Sequence, residues 1–163
     1  MFDHEMREAA EHVLFACRKR GFKVVTAESC TGGLIAAALT AIAGSSDVVD
    51  RGFVTYSNEA KREMLDVPWD AIVSHGAVSE PVAQAMATGA LARSGAQLSV
   101  SVTGVAGPGG GSAEKPVGLV HFGAARAGFE PVTERHVFPG DRDEIRRLTV
   151  ITALAMLAKL AER

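Results

Sequence analysis

Two cysteines, one tryptophan and one tyrosine are all that the 163 residues contain of those three types. Cys17 and Cys30 are too few for a disulfide scaffold, and neither stands in a CxxC pair or near a histidine at metal-ligand spacing. With aromatics at 6%, the interior has to be built from Ala, Val, Leu and Ile, which favours helices packed closely on a sheet. Charge of one sign is lacking as well. Seventeen basic against nineteen acidic residues leave a net charge of -2, with no global field to draw in nucleic acid or an anionic membrane. No apolar run reaches the ~20 residues that a membrane helix needs. The N-terminus, Met1-Phe2-Asp3-His4-Glu5, is charged and has no apolar signal-type segment, so a cytoplasmic, unexported protein is expected.

What is there is ordinary globular material, 47% hydrophobic and 22% charged, in a chain of one-domain length. Glycine is the unusual abundance, seventeen in all. Residues 3–20 carry apolar positions at three- and four-residue spacing and predict a helix ended by Gly21. A β-branched strand over 22–27 leads through a tight turn into a buried helix over 34–43. A second strand over 50–57 is followed by a short helix with Asn58 as its cap, then a loop at Pro68 and Trp69. Ser79 ahead of Pro81 opens a helix that runs to about Arg93. Strands follow at 97–103, 117–124 and 132–138, and a helix at 141–162 closes the chain. The expectation is a single-domain layered α/β/α fold over residues 1–163 with a mixed central sheet; strand order does not follow from periodicity.

Chemistry is concentrated at three places. In Glu28-Ser29-Cys30-Thr31-Gly32-Gly33 a serine sits between a strand and a helix N-terminus, where free N–H groups of Cys30, Thr31 or Gly32 could receive an oxyanion. Helix capping by Ser29 or Thr31 accounts for the same pattern, and Cys30 is a rival nucleophile that reads equally as a buried spectator. Tyr56 and Lys61 follow the second strand. Lys61 could serve as base only if desolvation lowers its pKa; an exposed lysine paired with Glu59 or Glu63 is the alternative. The third place is the strand end Thr103 running into Gly104, Gly107, Gly109 and Gly110, suited to a phosphate nest or to a plain surface loop. It matches neither a P-loop nor a GxGxxG fingerprint. Arg142 and Arg146, at the start of the last helix, point either to solvent or to an anionic ligand. None of the five histidines forms a motif.

Taken in order, TAESCTGG at 26–33, GFVTYSN at 52–58, GAVSE at 76–80, TGVAGPGG at 103–110 and GDR at 140–142 resemble the C-terminal domain family of the competence/damage-inducible protein CinA. Its stand-alone members look like nicotinamide-nucleotide amidohydrolases of the PncC type. The resemblance does not extend to the pyrophosphatase-like domain of full-length CinA. It implies hydrolysis of the carboxamide of nicotinamide mononucleotide (NMN) to nicotinate mononucleotide and ammonia, in pyridine-nucleotide salvage, without metal or organic cofactor. Carried onto this chain, it gives Ser29 as nucleophile and Lys61 as base, with Tyr56 and Thr103 completing the polar site. Cys30, Thr31, Gly32, Gly33 and the 104–110 glycines would contact substrate, and Arg142 or Arg146 would hold phosphate. A homodimer that binds a pyridine nucleotide, and neither nucleic acid nor membrane, goes with this reading. A nucleotide-binding module without catalysis and an amidase for another small amide are the other functions considered.

Overall fold

In the computed structural model, which describes all 163 residues, β1 (Val24–Glu28) is buried at every position, as a strand covered on both faces must be. It pairs in parallel with β2 (Val49–Val54) on one side and β3 (Leu98–Gly104) on the other. β4 (Leu119–Arg126) runs antiparallel to β3, and β5 (Val132–Val137) antiparallel to β4. The sheet order is β2-β1-β3-β4-β5. One face carries α1 (His4–Arg20), α2 (Leu34–Thr40) and α6 (Arg142–Ala161), packed on Val24, Leu98, Val100 and Val102. The other carries α3 (Asn58–Leu65), α4 (Trp69–His75) and α5 (Glu80–Ala92), packed on Val25 and Ala27. The fold is therefore the layered α/β/α arrangement with a mixed sheet. No helix is long and apolar enough to cross a membrane.

Few aromatics and many small residues allow close approach of helix to sheet. Ser99 and Ser101, on the α5 side of β3, donate to the Ala87 and Ala83 carbonyls at 2.7 and 2.5 Å. Thus the backbone of α5 lies directly on hydroxyls of the strand. At the far end of α5, Gly89 admits the Leu65 carbonyl, which ends α3, into space that a Cβ would occupy.

Three local expectations are corrected. The cap of α3 is Ser57, whose Oγ accepts from the Ala60 N–H at 3.0 Å, and Asn58 is already helical. Pro68 and Trp69 do not form a loop: they open α4, whose single buried residue, Ile72, leaves no periodicity to read. The helix expected over 34–43 ends at Thr40, and a short 3-10 turn, Ser45–Asp47, follows.

Topology places the site. From β1 the chain crosses by α2 to β2, and from β2 it returns across the opposite face by α3, α4 and α5 to β3. The chain therefore leaves the adjacent C-terminal ends of β1 and β3 toward opposite edges of the sheet, to β2 and to β4, the position at which open α/β sheets leave a crevice.

Candidate active site

Ser29 follows β1, Tyr56 follows β2 and Thr103 lies at the end of β3, so three strand ends converge on one cleft of about 330 Å3. Ser29, Cys30, Tyr56, Lys61, Thr103, Gly104, Gly107, Gly109, Gly110 and Arg142 line it. Thr31, Gly32, Gly33 and Arg146 do not line it and stand behind the turn that presents Ser29.

Lys61 is 1% exposed, despite charged neighbours on both sides in sequence. It shares the inner side of α3 with Leu65, one turn on, and its Nζ donates to Ser29 Oγ at 3.0 Å and to the Thr55 carbonyl at 2.8 Å. Both acceptors are uncharged. Burial pulls its pKa down from 10.5 to about 8, with the Cys30 thiol opposing weakly. A neutral amine within reach of a serine hydroxyl can take its proton. The surface pairing with Glu59 or Glu63 does not occur.

Neither Ser29 nor Thr31 caps α2, whose N-cap residue is Gly33. That task falls to Glu28, a fully buried carboxylate. Its Oε1 accepts from Thr31 Oγ1 at 2.6 Å and the Ile35 N–H at 2.9 Å, and its Oε2 from the Ala36 N–H at 3.0 Å and Thr26 Oγ1 at 3.3 Å. A negative group at a helix N-terminus is favoured by the free N–H groups and the dipole. On the opposite side of the turn, Arg146 donates from Nε to the Cys30 carbonyl at 3.2 Å and from Nη2 to the Thr31 carbonyl at 3.1 Å. With those carbonyls held, the Cys30 and Thr31 N–H groups donate to no other residue, whereas the Gly32 N–H is taken by the Ser29 carbonyl at 3.0 Å. Of the two, Cys30 lines the cleft and Thr31 is fully buried, so the free Cys30 N–H is the one placed to receive an oxyanion beside the nucleophile. Glu28 escaped sequence reading because a glutamate at a strand end looks like surface; the signal available was its place just ahead of a helix start.

The glycine-rich segment is held at its base by paired backbone bonds between Val105, Gly118 and Leu119. It is also held by Arg142, whose Nη1 donates to the Gly107 carbonyl at 2.7 Å. Gly107 has φ +79, and a Cβ there would lie 2.5 Å from Val117 Cγ1. Between these anchors the Ala106, Gly107, Gly109 and Gly110 N–H groups have no protein acceptor, an arrangement that receives anions. Arg142 Nη2 also reaches the exposed Tyr56 hydroxyl at 3.4 Å, and Thr103 Oγ1 donates to the Ala77 carbonyl at 2.9 Å.

Cys30 is no rival nucleophile, since burial pushes its thiol up to about 12, and that of Cys17 up to about 11. Iodoacetamide at neutral pH is expected to leave both cysteines unlabelled in the folded chain and to label both in denaturant, as read by mass spectrometry.

The family model of the CinA C-terminal domain matches residues 6–161. The chain is 52% identical over 157 residues to the nicotinamide-nucleotide amidohydrolase PncC of Escherichia coli K12, covering 96% of this chain and 95% of that one. It is 49% identical to a CinA-like protein of Citrifermentans bemidjiense, covering 98% of this chain and 38% of that longer one. Among solved structures, the competence/damage inducible protein CihA from Agrobacterium tumefaciens superposes with a TM-score of 0.96 at 53% identity, covering 98% of both chains.

Proposed function

Because the chain belongs to the CinA C-terminal domain family, we propose that it hydrolyses the carboxamide of NMN to nicotinate mononucleotide and ammonia, as the name of its PncC relatives describes. The chain is an amidohydrolase. The observation that carries the reading is the buried Lys61 amine, 3.0 Å from Ser29 Oγ, in a cleft that the free Cys30 N–H group also lines. In this reading Ser29 Oγ attacks the carboxamide carbon while its proton passes to Lys61 Nζ. The negative oxygen of the tetrahedral intermediate is met by the Cys30 N–H group. Collapse breaks the C–N bond, the lysine proton goes to the departing nitrogen, and ammonia leaves an ester on Ser29. Water, deprotonated by the same amine, hydrolyses that ester and restores the serine.

Arg142 and the free N–H groups of the glycine-rich segment supply phosphate contacts, and Tyr56 and Thr103 line the space between. Arg146 serves by holding the turn rather than by touching substrate. The same reading treats residues 1–163 as one amidohydrolase domain in pyridine-nucleotide salvage in the cytoplasm, acting as a homodimer.

Ammonia release from NMN, compared with release from nicotinamide, tests the assignment. Loss of the charge-assisted phosphate contacts is expected to lower kcat/KM for nicotinamide by about 100-fold or more. The Arg142→Ala variant is expected to raise KM for NMN about tenfold or more and to leave nicotinamide unaffected. Saturable binding of NMN with no ammonia on prolonged incubation would overturn the enzyme reading, and equal kcat/KM for the two substrates would remove the phosphate contacts.

A further inference from the structure

Thr55 Oγ1 is the one buried side-chain polar atom in the molecule without a hydrogen-bond partner, and the residue is 0% exposed. Leaving a hydroxyl dry and unpaired is unfavourable, so such an exception needs a reason. Thr55 directly follows β2, and its N–H donates to the Glu28 carbonyl at 2.8 Å, continuing the pairing with β1. Two residues earlier, Phe53 packs against the cluster of Val25, Ala27 and Leu65 on the α3 side of the sheet. Alternation along an extended chain turns the Thr55 side chain to that side too. Lys61 enters from there, and its Nζ already donates to the Thr55 carbonyl.

A neutral amine has two N–H bonds and a lone pair; an ammonium has three N–H bonds and nothing to accept with. Once Lys61 has taken the Ser29 proton, one N–H stays on the Thr55 carbonyl and one faces Ser29 Oγ or the nitrogen about to leave. The third has no acceptor among the charged and titratable groups nearby. The Cys30 thiol accepts weakly, the Arg142 and Arg146 guanidiniums do not accept, the Tyr56 hydroxyl points to Arg142, and the Glu28 oxygens are taken by four donors. The geometry points to Thr55 as a positioning residue whose hydroxyl, by a turn about χ1, accepts the third N–H of the Lys61 ammonium while the lysine carries the proton. This rests on Lys61 being the base.

The test measures kcat/KM and kcat for NMN from about pH 6 to pH 10, with urea unfolding, in Thr55→Val and Thr55→Ser. Losing an acceptor for the ammonium in Thr55→Val is expected to move the acid limb of kcat/KM down by about one pH unit and to lower the plateau kcat about tenfold. At about pH 9.5, where Lys61 is neutral and the hydroxyl has no partner, the same variant is expected to unfold no more readily than wild type, and Thr55→Ser to keep wild-type limb and plateau within about twofold. A valine variant with the wild-type limb and plateau overturns the inference. Equal losses in both variants also overturn it, since a variant that keeps the hydroxyl would then fail like one that lacks it. So does a valine variant that fails to fold at about pH 9.5, because with Lys61 neutral an unpartnered hydroxyl contributes nothing to lose. An active Lys61→Met would remove the base reading itself; an inactive one alongside an unaffected Thr55→Val would remove only the role of Thr55.

Discussion

Lys61→Met is expected to release ammonia from NMN at least about a thousandfold more slowly than wild type, and yet to unfold at a slightly higher urea concentration at pH 7. The loss follows from removing the only amine within reach of Ser29 Oγ. Ser29→Ala is expected to match it, and the double variant to be no slower than either, because the two residues act as a unit. The stability gain follows from linkage. The lysine pKa is about 8 in the folded chain against an ordinary 10.5, so the unfolded chain holds more protons between those values. Stability contributed by this group therefore rises with pH from 8 to 10.5, and below pH 8 the folded chain carries the proton at an unfavourable ~3 kcal/mol. Methionine removes that penalty but strips the Thr55 carbonyl of its donor, an offset of about 1–3 kcal/mol. A net gain of about 1 kcal/mol at pH 7, vanishing or reversing above about pH 10, is what urea unfolding should show. Activity follows the same titration: kcat/KM is expected to rise with pH through about 8 as Lys61 loses its proton. Retention of the rate by either single variant would end the Ser–Lys mechanism.

The second large effect is at Glu28. Glu28→Ala leaves the Ile35 and Ala36 N–H groups and the Thr31 hydroxyl without their acceptor inside the molecule. A loss of about 3–5 kcal/mol in urea unfolding is expected, enough to unfold a marginal chain. Glu28→Gln keeps the shape but replaces one acceptor oxygen by a donor NH2 that faces donors. It is expected to lose about 2 kcal/mol, and among the folded molecules to lower kcat with KM little changed. That split follows because the carboxylate fixes the turn carrying Ser29 and the Cys30 N–H group and does not line the cleft. Wild-type stability in Glu28→Gln would show that the carboxylate is not needed there.

The strand, turn and helix around Ser29 were legible because each depends on residues adjacent in sequence. Lys61 could be named but not placed. Glu59, Arg62 and Glu63 beside it give α3 the look of a solvated helix, and the burial of its fourth residue is decided by where α3 lies on the sheet. The strand order was out of reach for a related reason. β3 reaches its place beside β1 because α5 packs on Ser99, Ser101 and Gly123, small residues that carry no periodic signal. Arg142 and Arg146, four residues apart on one helix, looked interchangeable, and only the folded chain separates one at the cleft from one on the turn behind it. Glu28 meets partners three, seven and eight residues on, and Thr55 is defined by a partner that it lacks.

The α3–α5 junction makes the address of the base depend on a residue remote from the chemistry. At Gly89 a single methyl group would meet the Leu65 carbonyl and force α3 outward. Lys61, one turn upstream on the same helix, would travel with it, while Ser29 stays on the sheet. The 3.0 Å between amine and hydroxyl is thus a mechanical tolerance set by helix spacing. It places a side-chain size limit on α5, none of whose residues lines the cleft.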